Sequence, residues 1–289
     1  MIEQAACAAQ VKAWQAHLEQ ALEARLPGSD EVPTRLHAAM RYCVLNRGRR
    51  VRPLLLFSTA LAVGLTAAEV EAAACAVELA HAYSLVHDEL PAIDGDDVRQ
   101  GRATCHRAYD EGTAVLVGDA LQSLAFQLLA SDAALPPVPA VRLRLIGLLA
   151  EAIGASGLAG GQAIDVAAQG RRLPLADIDA LYARRTGALI RASVLMAAAC
   201  APQAGTHLHQ ALTDFAAPLA LAFQIQQELL ERAGDTARGK PTYSATLDPA
   251  ASRERVTQLQ TQALQALQPL GAAAAPLRAL AQWLLVTAT

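Results

Sequence analysis

Apolar residues recur at i, i+3 and i+4 through nearly the whole chain, and this periodicity limits the fold more than any other feature. Stretches at 3–26, 31–46, 53–64, 67–90, 111–131, 139–155, 174–199, 207–232, 250–268 and 276–287 carry it. They are rich in alanine and leucine, strong helix formers, and aromatic residues make up only 4% of the chain. Strand alternation, a 20–50-residue repeat and a dividing linker are all missing from the pattern. Thr66-Ala-Ala-Glu69 reads as a capping box and Pro174 as a first-turn proline. Pro27-Gly28, Pro136-Pro137 and the 234–241 stretch read as breaks. Several helices are apolar on more than one face, which makes them central. The expectation is an all-α fold, one helical bundle spanning 1–289 as a single domain.

With 53% hydrophobic and 18% charged residues, the chain can bury a large core. The balance of 24 basic and 27 acidic residues, net −3, argues against a broad nucleic-acid footprint. The longest uninterrupted apolar runs fall short of about 20 residues, and Asp119 interrupts the run from 114 to 130, so no membrane span is expected. The first residues carry Glu3 and Lys12 and lack a signal pattern. Cys7, Cys43, Cys75, Cys105 and Cys200 are scattered and odd in number, as in reduced packing residues of a cytoplasmic protein.

Charge gathers in three places. Asp88, Glu89, Asp94, Asp96 and Asp97 put five carboxylates in ten residues at the end of an apolar helix. A helix C-terminus is partly negative, so the cluster is costly unless cations bind, and clustered oxygens suit Mg²⁺. Asp88 and Asp94 are six apart and lie about 240° around an ideal helix; they converge only if the helix is distorted, and Pro91 is the expected cause. The competing reading is a solvated acidic loop. On the helix at 215–232, Gln224, Gln227, Glu228 and Glu231 share one face, as a polar site or as a solvated stripe. Arg47, Arg49, Arg50 and Arg52 put four arginines in six residues, suited to phosphate or simply exposed at the surface.

Together these segments resemble the trans-isoprenyl diphosphate synthases of the bacterial farnesyl diphosphate synthase type. Arg47–Pro53 is similar to the GGKRxRP motif. The stretch from His81 to Asp94 is similar to the first aspartate-rich motif, and Gly239-Lys240-Pro-Thr-Tyr243 to GKxTYP. Thr104-Cys-His106, Gly118–Gln122, Gly161–Asp165, Arg185–Leu189 and Phe223-Gln224 also have counterparts in order. The resemblance implies a helical bundle around a central apolar cavity. It implies Mg²⁺-dependent condensation of isopentenyl diphosphate with an allylic diphosphate, and a homodimer or a heteromer with a catalytic homologue. Position by position, it assigns metal binding to Asp88, Asp94 and Glu231, and the allylic diphosphate to Arg99. Arg49, Arg52 and His81 fall at the isopentenyl diphosphate site. Arg185, Thr186 and Gln224 fall around the leaving group, Lys240 beside it, and Tyr83 with Ser84 where chain length is set.

The chain departs from that pattern at the charged positions. Glu89 stands for an aspartate, Gln100 for an arginine, Arg185 for a lysine and Gln227 for the first aspartate of the second acidic motif, with Glu228 as a substitute carboxylate. The segment between Asp235 and Lys240 is short and lacks a lysine. The departures leave two alternatives to an active condensing enzyme open: a non-catalytic or regulatory homologue that binds allylic diphosphate, and a cyclase-like enzyme that ionises it.

Overall fold

The computed structural model describes residues 2–45, 48–201, 206–231 and 240–286. The side chains of 2–4, 206, 231 and 286 lie outside that description. The long helices are α1 (Ile2–Arg25), α2 (Thr34–Val44), α3 (Val51–Ala62), α4 (Glu71–Asp88), α6 (Glu111–Ser131), α7 (Pro139–Ile153), α10 (Ala188–Ala199), α11 (Thr206–Glu231), α13 (Pro249–Ala266) and α14 (Ala275–Val286). Shorter ones are α5 (Cys105–Ala108), α8 (Leu158–Ala167), α9 (Leu175–Tyr182) and α12 (Tyr243–Thr246).

Apolar residues on all sides place α3, α4 and α10 at the centre, as their composition predicts. Every residue from Ala72 to Ala80 of α4 is buried, and so is every residue of α10 from Ala188 to Ala198 except Arg191. Around them, α4 packs on α6, α10 on α3, α7 and α11, and α11 on α13. Thr66 donates from its N–H and its hydroxyl to Glu69 (2.8 and 2.7 Å), so half of the expected capping box forms ahead of α4. All five cysteines are free.

Three expectations need correction. The stretch at 174–199 is not one helix: a π-helical turn, Ala183–Gly187, separates α9 from α10. Residues 158–167 form α8, which the periodicity missed because Gly160 and Gly161 weaken the helical signal. Val98–Arg99 and Arg102–Ala103 pair as a two-stranded hairpin, β1 and β2. Gln100 and Gly101 form its tip with φ of 50° and 77°, the left-handed pair that a two-residue hairpin requires. Ring stacking and one hydrogen bond fix the hairpin to α2. The Arg102 guanidinium lies 4.3 Å over the Tyr42 ring, and the Tyr42 hydroxyl donates to the Ala103 carbonyl at 2.7 Å.

By length and apolarity α6 qualifies as a membrane-crossing helix, and so does the 139–167 stretch; in both, less than half of the apolar window is buried in the protein. The interruption at Asp119 is too small to lower the average. The 139–167 stretch is broken between α7 and α8 at Gly154–Gly157.

A buried ion-pair network joins α1, α4 and the start of α3. Arg50 holds a left-handed conformation (φ 56°) at the N-cap of α3, a geometry that costs about 1–2 kcal/mol for a residue with a Cβ. Its guanidinium donates to Glu19 (2.8 Å), Glu78 (2.7 Å) and the Val44 carbonyl (2.6 Å). The Arg50 side chain is 3% exposed and that of Glu78 5%. Removing one member of such a pair leaves an uncompensated buried charge. Arg50→Met is therefore expected to destabilise the fold by about 3–5 kcal/mol, read as a lower urea midpoint at unchanged slope.

Candidate active site

α4 carries the acidic cluster at its end, and the carboxylates converge for a simpler reason than expected. The helix stops at Asp88 instead of kinking, and Pro91 lies beyond its last residue. The chain then turns back so that the Asp94 N–H donates to the Asp88 carbonyl at 2.9 Å, with Gly95 N–H on the Leu90 carbonyl at 3.0 Å. This loop closure brings two side chains six residues apart to one place.

Three cations from elsewhere meet the cluster. Arg185, in the π-helical turn, lies 3.5 Å from Asp94 and 3.9 Å from Asp88, and donates to Asp165 of α8 at 2.6 Å. Lys240 sits 2.8 Å from Asp94. Arg99 of the hairpin is 3.6 Å from Glu89, which is 6% exposed. Burial outweighs these partners at two acids: it pushes the carboxyls of Asp88 and Glu89 up to about 7, with repulsion from Asp94 adding to each. Asp94 Oδ1 is buried and accepts no hydrogen bond. The solvated-loop reading fails on these facts.

Seven residues back on the same helix, about 10 Å along its axis, His81 stands beside Arg52 of α3. His81 Nδ1 and Arg52 Nε are both buried without a hydrogen-bond partner. Desolvation and the charges of Arg52, Arg99 and Arg50 drive the His81 imidazole well below its ordinary pKa, and burial lowers Arg52 to about 10. Arg49 is half-buried; its Nη1 donates to Gln227 Oε1 at 3.1 Å and its Nη2 to the Leu284 carbonyl at 3.4 Å. Of the four clustered arginines, Arg50 is structural and Arg47 lies outside the described residues. Arg52 belongs with His81, and the Arg49 guanidinium lies against α11 and α14 at Phe223, Gln227 and Leu284.

Thr186 of the π-helical turn donates to Gln224 of α11 at 2.9 Å, and Gln224 donates to Glu228 at 3.1 Å. Glu228 is buried and also accepts from the Ser244 N–H (3.2 Å), so it turns toward α12 and does not serve as a substitute at the acidic cluster. Of Glu231 only the backbone is described, at the end of α11. Gly239 and the short segment before it lie outside the described residues. Tyr83 is buried with its ring edge-on to His87 at 5.9 Å, and Ser84 donates back to the His81 carbonyl at 2.8 Å. Two residues gain a role that sequence reasoning did not give them: Asp165, a lone acid on an apolar helix, anchors Arg185, and Gly161 lets α8 approach it. A separate cleft lined by Arg144, Glu151, Arg191 and His209 contains none of the site residues.

The oxygen donors fit a divalent cation, since Asp94 keeps a buried, unpartnered oxygen beside Asp88. Among the described residues, no group of three or more His, Cys, Asp or Glu side chains forms a self-sufficient metal cage. A bound ion would draw its remaining oxygens from elsewhere.

Comparison with known proteins agrees with this geometry. The farnesyl diphosphate synthase of Escherichia coli K12 is 42% identical over 243 residues, 80% of this chain and 81% of that protein. The farnesyl diphosphate synthase of Geobacillus stearothermophilus is 40% identical over 78% of this chain and 80% of its own length. An apo FPP/GFPP synthase from Zymomonas mobilis superimposes with a TM-score of 0.89 at 34% identity, covering 97% of this chain and 99% of that one. Residues 33–268 match the family model for polyprenyl synthetase. With that match, and relatives this similar over most of their length, the chain belongs to the polyprenyl synthetase family.

Proposed function

We propose that this chain is a short-chain trans-prenyltransferase that condenses isopentenyl diphosphate with an allylic diphosphate of the geranyl class. The observation that carries the reading is the pair of groups along α4: acids at its end, met by Arg185, Arg99 and Lys240, and His81 two turns earlier beside Arg52 of α3, each with a buried nitrogen that has no hydrogen-bond partner. α4, with Arg52 of the adjoining α3 and the loop after Asp88, thus offers a place for each of two diphosphates at a fixed separation.

In this reading Asp88 and Asp94 would hold Mg²⁺, with Glu231, whose side chain lies outside the described residues, as the further ligand the family resemblance implies, and the ion would supply charge neutralisation for the departing diphosphate. Arg99, Arg185 and Lys240 hold the same diphosphate through fixed charges that need no rearrangement as its C–O bond breaks. Arg49, Arg52 and neutral His81 hold isopentenyl diphosphate so that its double bond faces the allylic carbon. The new C–C bond forms there and a proton is then lost. Thr186 and Gln224, tied to one another, present polar oxygens beside the allylic cation. The apolar faces of α4 and α6 keep water from trapping it.

The test is incubation of the purified chain with Mg²⁺ and geranyl diphosphate, with and without isopentenyl diphosphate. A product that needs both substrates supports condensation. A product from geranyl diphosphate alone, or tight binding without turnover, would replace it by the cyclase-like or the regulatory reading. Buried Tyr83, with Ser84 beside it, is read as the floor of the product channel. Tyr83→Ala is expected to shift products toward chains at least one five-carbon unit longer, seen by mass spectrometry. Val115 and Leu116 on α6 and Leu143 on α7 are exposed on two helices that pack together, which suits a homodimer; a cytoplasmic location goes with this reading.

A further inference from the structure

We propose that Gln227 is a positioning residue for Arg49, and that this chain has given the first place of its second acidic motif to a neutral amide that aims an arginine. The proposal rests on the reading of Arg49 as part of the isopentenyl diphosphate site.

Arg49 is held from three helices. Gln15 of α1 donates to its backbone carbonyl at 3.1 Å. Its guanidinium lies over the Phe223 ring of α11, 5.5 Å from the centroid, and its Nη2 donates to the Leu284 carbonyl of α14 at 3.4 Å. Gln227, one turn after Phe223, accepts from Nη1 at 3.1 Å. Stacking fixes the plane of the guanidinium, and the two hydrogen bonds fix its rotation within that plane. A guanidinium has five N–H donors, so three remain for an anion.

The chemistry of the acceptor matters here. A carboxylate at 227 would form an ion pair with Arg49 and neutralise the charge that an incoming diphosphate needs. An amide oxygen orients the same guanidinium and leaves the full charge in place. The other end of the amide, Gln227 Nε2, is buried with no acceptor among the described residues, so Arg49 is the partner that holds this side chain. Gln224, the nearest alternative on the same face, is committed to Thr186 and Glu228.

The experiment titrates isopentenyl diphosphate into the full chain by calorimetry. The variants are Arg49→Ala, Gln227→Leu, Gln227→Asp and the double variant Arg49→Ala with Gln227→Leu. Arg49→Ala is expected to weaken binding by thirtyfold or more, and each Gln227 variant by about tenfold. The double variant should bind no more weakly than Arg49→Ala alone, because Gln227 acts through Arg49. In steady state, the Gln227 variants should raise KM for isopentenyl diphosphate about tenfold and leave KM for geranyl diphosphate within twofold. A loss that spread equally over both substrates and the melting temperature would mark a merely structural residue and overturn the proposal. Wild-type affinity in both Gln227 variants, or additive losses in the double variant, would overturn it as well. So would a rise in kcat for Gln227→Asp at unchanged isopentenyl diphosphate affinity, since a carboxylate would then be serving a metal. Wild-type affinity in Arg49→Ala would instead remove the underlying assignment of Arg49, and the proposal with it.

Discussion

Replacing Asp88 by asparagine is expected to lower condensation activity by about three orders of magnitude or more while leaving the melting temperature unchanged or raised. Stability and activity separate because of what surrounds the carboxylate. Asp88 is tucked at the end of α4 with its nearest cation, Arg185, at 3.9 Å, and burial pushes its carboxyl up to about 7. The folded protein alone therefore gains little from ionising it. Charge at this point has value only when a cation and a diphosphate arrive. Losing it removes transition-state stabilisation of about 4 kcal/mol, at about 1.4 kcal/mol per tenfold in rate. Asp94→Asn makes the contrast. Asp94 lies 2.8 Å from Lys240 and 3.5 Å from Arg185, all with side chains less than a fifth exposed. Breaking that group leaves largely buried Lys240 without its ion-pair partner among the described residues and removes one of the acids facing Arg185, which keeps Asp165. This variant is expected to lose the same activity and in addition about 3–5 kcal/mol of stability. Product assays and urea melts on both variants check the pair of expectations; equal stability losses would show that the two acids are not used differently.

The helices are legible in the sequence wherever apolar spacing runs long without glycine, because burial of one face decides both the pattern and the packing. Boundaries drawn from that spacing fail where local geometry departs from 3.6 residues per turn. Arg185 and Thr186 sit in a π-helical turn of five residues, too short for a slip in the apolar spacing to stand out in the sequence. The hairpin at Arg99 is too short for alternation to register. Within the site, residue types show where charge gathers but not which charges cancel. Arg50 and Arg52 read alike in sequence, yet one is consumed by Glu19 and Glu78 while the other keeps a buried nitrogen unpartnered. Glu228 reads as a substitute ligand because the family resemblance puts it in the second acidic motif beside Gln227; its hydrogen bonds to Gln224 and Ser244 depend on how α11 sits against its neighbours, which a one-dimensional pattern does not contain.

Gly161→Ala carries the other large effect, and it tests whether the π-helical turn is a working part. A Cβ at 161 would lie 2.5 Å from the Arg185 backbone nitrogen and 2.7 Å from its Cα, so the clash is with main chain and no side chain can swing aside to relieve it. Either α8 must back away or the turn must shift. Overpacking of this kind costs about 1–3 kcal/mol. The catalytic cost is expected to be larger than that stability loss implies. α8 also carries Asp165, whose 2.6 Å bond to Arg185 sets where the guanidinium stands against Asp88 and Asp94. A displacement of about 1 Å at such a group costs on the order of a hundredfold in rate. The expected result is kcat lowered about a hundredfold, with KM for isopentenyl diphosphate nearly unchanged, because Arg49 and Arg52 are held by other elements than α8. Gly160→Ala is not a neutral control, since its Cβ would meet the Ala155 carbonyl at 1.9 Å. Gly147→Ala meets nothing within 4 Å and serves instead. If Gly161→Ala lost stability but kept kcat within a few-fold of the parent, the position of Arg185 would not be critical to departure of the diphosphate, and the role given to that arginine would have to pass to Lys240 and Arg99.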